Sequence, residues 1–338
     1  MIMKNVRYFV WAVTLLLGFA TSCEKKDEPV AIPDKIGSQY AMVDMGEDYT
    51  NQVFYDFETA KIVYISAIKS WDLAFESSTT GYHVFINGGG NNIYTYNTHV
   101  TDIKEVKVAP KLKDNEWGFD PDCGSPDSTA IGEWKQGALS KNEVYILKID
   151  PFLFPDTFKK IQLLSVTDNN YIMAYSDLKS DIIKTIVIPK NNSCNYSYFS
   201  FDGDGMIVTP EPPKNTWDIV FTRYRHVYRE LDNFTYPVNG VLLNPYNVMA
   251  AKDSTVSYEK VQSSMLTSLT FSNARDVIGF DWKFFDRTQP TVSKYVVDRN
   301  KIYFVRTRNS QYVKLHFLDF YNNQGVKGSP SFEFERLQ

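Results

Sequence analysis

The sequence predicts an all-β protein made of two tandem, related units, each an antiparallel β-sandwich or meander. Three observations lead there. Aromatic residues make up 15% of the 338 residues, with 22 Tyr and 23 Phe, an enrichment that suits pleated sheets. No long stretch carries the 3.6-residue period of an amphipathic helix. Four short words also occur twice in the same order. Trp71-Asp72-Leu73-Ala74-Phe75 returns as Trp217-Asp218-Ile219-Val220-Phe221, and Gly118-Phe119-Asp120 returns as Gly279-Phe280-Asp281. Asn142–Lys148 returns as Asn300–Arg306, and Lys160-Ile161-Gln162-Leu163 as Lys314-Leu315-His316-Phe317. Two copies of one structural unit account for this order better than chance does.

The chain opens with an address. Lys4 and Arg7 form a basic start, and Tyr8 to Ala20 is an apolar run too short to span a bilayer comfortably. Small residues then precede Cys23, as in a bacterial lipobox, so residues 1–22 read as a lipoprotein signal peptide and Cys23 as the lipidated residue. The charged run Glu24-Lys25-Lys26-Asp27-Glu28 resembles a surface-export signal. Residues 23–37 read as a polar tether. Removing residues 1–22 takes away two cations and no acid, so the formal charge of −4 falls to about −6. That balance disfavours a nucleic-acid partner, which needs a basic face.

Unit A is expected over 38–192. It holds strand candidates at Tyr40–Gly46, Gln52–Phe57, the first Trp-Asp word and Tyr82–Ile86. The loop Asn87-Gly88-Gly89-Gly90-Asn91-Asn92 lacks the spacing of a phosphate cradle, and its glycines are expected to permit positive φ. Unit B is expected over 193–338. Asp202-Gly203-Asp204-Gly205 reads as a hairpin turn, since the later ligands of a calcium loop are missing. Lys301–Thr307, Gln311–Phe320 and a last strand in which Phe332 and Phe334 alternate with Glu333 and Glu335 form an antiparallel meander with one face buried. Cys123 and Cys194 sit in no CxxC or Cys/His array, so neither a redox motif nor a cysteine metal site is supported. A disulfide between them stays open.

Unit B resembles the HmuY-like family of haem-binding bacterial lipoproteins. The resemblance rests on Trp217–Tyr224, Tyr295-Val296-Val297, Tyr303–Thr307, Tyr312–Phe317 and Phe332-Glu333-Phe334, together with the lipobox; unit A looks like a diverged second copy. It implies a twisted β-sandwich, haem as cofactor, a surface location on the outer membrane, and transfer of haem to an outer-membrane transporter. Family members hold the iron between two His or two Met on variable loops, so no fixed motif carries over. The axial candidates in the matching interval are Met249 and Met265 as first choice, with His226 as substitute, and Arg223, Arg225 and Arg229 are candidates for the propionates. The span from Trp217 to Gly279 is 62 positions, against 47 from Trp71 to Gly118. The extra length is expected to form haem-covering loops.

Each candidate has a plainer reading: a surface histidine beside solvated arginines, or gap-filling core methionines. No GxSxG, HExxH or P-loop is present, so no enzyme is expected. The alternative from another class is a surface adhesion or glycan-binding lipoprotein that keeps the fold without haem.

Overall fold

The computed structural model describes residues 37–149, 158–288 and 294–337. The expected signal peptide, Cys23 and nearly all of the tether lie outside them. In chain order the strands are β1 Gln39–Met42, β2 Asn51–Asp56, β3 Lys61–Ala67, β4 Leu73–Glu76, β5 Val84–Ile86, β6 Tyr94–Asn97, β7 Lys135–Gln136, β8 Leu139–Ser140, β9 Val144–Lys148, β10 Phe158–Val166 and β11 Asn170–Asp177. They continue as β12 Lys184–Pro189, β13 Tyr196–Ser200, β14 Met206–Val208, β15 Ile219–Tyr228, β16 Phe234–Leu243, β17 Met249–Asp253, β18 Lys283–Asp286, β19 Lys294–Val297, β20 Ile302–Arg306, β21 Tyr312–Tyr321 and β22 Lys327–Leu337. The described helical segments are short 3-10 turns. The protein is all-β, as its aromatic content and the missing helical period predict.

Two sandwiches form, and neither follows the halves 38–192 and 193–338. The first pairs sheet β1-β22-β21-β20-β17 with sheet β16-β15-β2-β3, and the second pairs β12-β11-β10-β9-β6 with β14-β13-β4-β5. Both have the same strand plan, yet the strands β1–β3 complete the sandwich built by β15–β22. The strands β12–β14 complete the one built by β4–β11. Linker length explains the exchange. If β2 paired with β4, the chain would have to cross β2 to bring β4 parallel to β3. Such a crossover needs roughly a dozen residues or more, and only residues 68–72 separate β3 from β4.

The two Trp-Asp words fasten the exchange. Ile219 and Val220 pair with Tyr55 and Phe54, while Leu73 and Ala74 pair with Phe199 and Tyr198. Asp218 accepts the Phe57 N–H at 3.0 Å just beyond β2. Asp72 accepts the Phe201 N–H at 2.7 Å just beyond β13. The indoles pack edge-on against the borrowed strands, Trp217 on Phe54 at 4.9 Å and Trp71 on Tyr198 at 5.2 Å. Asn244 and Asn87 close the opposite side, donating to the Trp217 and Trp71 carbonyls at 2.7 and 2.8 Å.

Each sandwich has its own apolar core. In the first, Phe221, Phe317, Phe332 and Trp282 pack between the sheets, with Trp282 stacked on Phe317 at 4.0 Å. In the second, Phe75, Trp134, Tyr171 and Phe199 do so. A third layer of contact joins the sandwiches. There the glycine loop presses on β15: a Cβ on Gly89 would lie 2.0 Å from the Arg223 carbonyl oxygen, and one on Gly90 would lie 2.2 Å from that of Ile68. These glycines serve close backbone approach. Neither takes a positive φ, so that expectation is corrected. Cys123 and Cys194 are free thiols.

Candidate functional site

The extra length after Trp217 becomes strand. β15 and β16 are ten residues each, where their counterparts β4 and β5 are four and three. This corrects the expectation of long covering loops: His226 sits within β15, and Met249 is the first residue of β17. The β-branched and aromatic residues of Ile219–Tyr228 and Phe234–Leu243 favour pairing over looping, and ten residue pairs join the two strands.

The long hairpin forms one wall of a groove of about 860 Å³. Tyr228, Tyr236 and Val238 line it from β15–β16, and Phe284, Phe285 and Tyr295 from the facing hairpin β18–β19. Phe280 and Tyr49 complete the apolar lining. Gly279 sets the position of Phe280. It has φ +66° and exchanges two backbone hydrogen bonds with Val241, at 2.9 and 3.1 Å. A Cβ on Gly240 would lie 2.5 Å from the Gly279 carbonyl oxygen. Several aromatics stay exposed, Phe284 at 54% and Tyr236 at 56%, and such exposure at a groove marks a binding surface.

Two cations join this lining. Arg223 donates to Asn239 Oδ1 and to the Asp48 carbonyl, both at 3.2 Å. Lys283 is buried, donates to the Asn239 carbonyl at 2.6 Å, and lies 4.3 Å from the Trp282 ring and 4.8 Å from the Phe320 ring. Burial pushes its amine down from 10.5 to about 7, opposed by Asp281. An anion arriving beside it would draw a proton onto the amine.

Of the other candidates, His226 stands next to the groove. Its ring packs on Tyr228 at 4.7 Å and on Phe280 at 4.8 Å, and its Nδ1 lies 3.0 Å from Asp122 Oδ2. Arg225 is buried away from the groove. It donates to the Gly88 carbonyl at 3.0 Å and to Asn92, and lies 3.9 Å over Tyr94. Arg229 pairs with Asp122 at 3.0 Å. Met249 accepts from Arg306 Nη1 at 3.5 Å, and Met265 lies in the turn Ser263–Ser268. Neither methionine lines the groove. Sequence reasoning overlooked Tyr49, Tyr236, Phe284, Phe285 and Lys283. The signal that was available is the adjacent Phe284-Phe285 pair, which cannot place both rings on one buried face of a strand.

A second cavity, of about 130 Å³, lies between the sandwiches among Phe54, Trp71, Phe85, Tyr196, Tyr198 and Trp217. Its buried Glu211 accepts from the Tyr198 hydroxyl and the Asn195 amide, both at 2.5 Å. Burial pushes the Glu211 carboxyl up, against those hydrogen bonds.

Fold and groove together define a double β-sandwich with an open aromatic groove. The family model described as HmuY protein matches residues 48–334, and the chain belongs to the HmuY family. A search of curated proteins finds no match. Three solved structures are similar at low identity. Apo PinO from Porphyromonas gingivitis is 11% identical over 89% of this chain and 97% of that one, with a TM-score of 0.34. A candidate HmuY-like heme binding protein from Bacteroides vulgatus is 11% identical over 88% and 91%, TM-score 0.24. The apo HmuY analog of Tannerella forsythia is 14% identical over 49% and 88%, TM-score 0.23.

Proposed function

We propose that this chain is a surface lipoprotein that binds haem in the β15–β16/β18–β19 groove and serves haem or iron acquisition. The observation that carries the reading is the groove itself. Its volume lies in the range of cofactor pockets. Its tyrosine and phenylalanine walls suit a flat apolar macrocycle, and Arg223 and Lys283 suit the two propionates. Family membership supports the same ligand.

For the iron, the groove offers the Tyr49, Tyr228, Tyr236 and Tyr295 hydroxyls, and phenolate is a known axial ligand. His226 is the nearest imidazole. These residues displace Met249 and Met265 as the preferred ligands. When bound, haem would supply an iron centre that the protein carries rather than turns over. Outside the described residues, Cys23 is the proposed lipid anchor, and an outer-membrane haem transporter is the proposed partner. Replacing Cys23 by Ala is expected to release the protein from the membrane fraction.

Absorbance titration of the purified chain with haemin tests the binding. A saturable shift of the Soret band is expected, lost in a Tyr236→Ala, Phe284→Ala, Phe285→Ala variant and kept in Met249→Ala, Met265→Ala. An unshifted spectrum in both redox states of the wild type would falsify the reading. One observation favours the adhesion alternative in that event. Phe234 and Tyr236 present rings 24° apart, both more than half exposed, a surface on which sugars stack.

A further inference from the structure

We propose that Asp122, His226 and Asp276 form a site for a divalent first-row transition cation of the zinc class, which staples the two sandwiches together. The three side chains come from different parts of the chain. Asp122 lies on a loop between β6 and β7, His226 on β15, and Asp276 on the loop ahead of Gly279. One donor atom from each lies within 4.8 Å of the others, and among the described residues this is the sole group of three or more metal-ligating side chains so arranged.

The second observation is the state of the imidazole. His226 Nδ1 is fully buried and makes no hydrogen bond, although Asp122 Oδ2 is 3.0 Å away. With its proton on Nε2, Nδ1 carries a lone pair that meets no donor and has a carboxylate oxygen beside it. With its proton on Nδ1, the N–H is not aimed at the oxygen. A cation between the groups satisfies both. Asp122 is fixed to receive it: its side chain is 1% exposed, and Oδ1 is held by Arg229 at 3.0 Å and by the Cys123 N–H at 3.1 Å. Oδ2 faces the cluster, with the Val227 N–H at 3.4 Å. Two carboxylates against one guanidinium leave a net negative charge. The other three histidines each sit against a single carboxylate: His83 on Glu76, His99 on Glu143 and His316 on Glu333.

Mixed nitrogen and oxygen donors suit zinc and its neighbours over calcium or magnesium. Metal–donor bonds of about 2.1 Å put donors roughly 3–4 Å apart, so a small closure of the present arrangement completes the site. The His226 ring also rests on Tyr228 and Phe280. A bound cation would therefore hold one wall of the groove in place.

The test is a titration of the untagged, haem-free full chain with Co2+, read by its visible d–d absorption, followed by displacement with Zn2+. One equivalent per chain is expected. Asp276→Asn, which keeps the volume of the side chain, should weaken binding about tenfold or more. His226→Ala should abolish it, and His316→Ala should leave it unchanged. Near-UV circular dichroism confirms that each variant is folded. Absence of d–d bands in the wild type, or bands that survive both Asp276→Asn and His226→Ala, overturns the proposal. Haemin titration without added metal reads the groove separately, so either proposal can fail alone.

Discussion

The two sandwiches share a frame and differ in what they do with its edge. In each, a Trp-Asp word opens the strand that receives a hairpin from the other half, and the aspartate accepts a backbone N–H from that hairpin's turn. In the second sandwich Asp72 is held by neutral donors: the Phe201 N–H, Ser200 and Asn91. In the first, Arg308 Nη1 lies 2.9 Å from Asp218 and 2.8 Å from Asp56. Burial pushes the Asp218 carboxyl up, with Arg308 opposing it. At Asp56 burial also pushes up, but Arg308 and Thr59 win and hold it below the usual carboxylate range. One guanidinium thus serves two buried carboxylates. The second sandwich keeps β4–β5 short, whereas the first extends β15–β16 and gains a groove. The frame is common to both, and the aromatic groove comes from strand extension in one.

The largest expected effect separates the two clasps. Asp218→Ala takes from the buried Arg308 one of its two buried carboxylates, leaving Asp56, Glu58 and the Asn215 carbonyl, and opens the seam to β2, at a cost of about 3–5 kcal/mol. Asp72→Ala removes only neutral hydrogen bonds, at a cost of about 1–3 kcal/mol. Urea denaturation of the two variants measures the difference. Equal losses would mean that the ion triad adds nothing to the clasp.

Next in size is the effect on ligand binding. Phe284→Ala with Phe285→Ala should weaken haem about tenfold or more, since each ring contributes roughly 1–2 kcal/mol of apolar burial. Phe85→Ala, on the short hairpin of the second sandwich, should leave haem affinity unchanged. A haem titration in which the Phe85 variant fails and the Phe284/Phe285 variant binds normally would move the site to the cavity between the sandwiches.

How much of this was legible follows from which features are local. The Trp-Asp strands, the terminal meander and the Asp202–Gly205 turn are written in period-two alternation and turn residues, and they stand where the sequence puts them. The exchange of β2 and β13 is not local. β4 and β15 both offer an apolar strand opened by Trp-Asp, and alternation cannot say which one β2 will join. The length of residues 68–72 held the answer, but only once the sheet order was known. The groove was hidden for the same reason. Tyr49 reaches Arg223, Tyr236 and Phe284 only through that exchange, and those three come from separate stretches of the second half. Met249 and Met265 were attractive because of their position after Trp217, and the long β15–β16 hairpin carries the groove elsewhere. Arg223 survived as a candidate because it lies on that hairpin. Arg225, two residues on, is spent on the glycine loop.

The smallest expected effect is a pH dependence that begins at Lys283, in the first sandwich. Lys283 titrates near 7 in the folded protein and near 10.4 when unfolded. Between those values the unfolded chain binds the extra proton, so stability rises with pH across that window. Near pH 8 the gain approaches about 1 kcal/mol per pH unit, less than the ideal slope, because the Trp282, Tyr295 and Phe320 rings still favour the charged amine. The rise ends where tyrosines take over. Burial raises Tyr55, Tyr145, Tyr171 and Tyr303 far above 10. Their unfolded forms ionise first, and stability falls above roughly pH 10. Denaturation midpoints measured from pH 7 to 9 should therefore climb in the wild type and stay flatter in Lys283→Met. Haem binding should act on the same group. A propionate beside the amine raises its pKa, so association near pH 8 takes up a proton, measurable as a buffer-dependent binding enthalpy. Proton uptake that persists in Lys283→Met would assign it to another group and leave Lys283 a structural part of the wall.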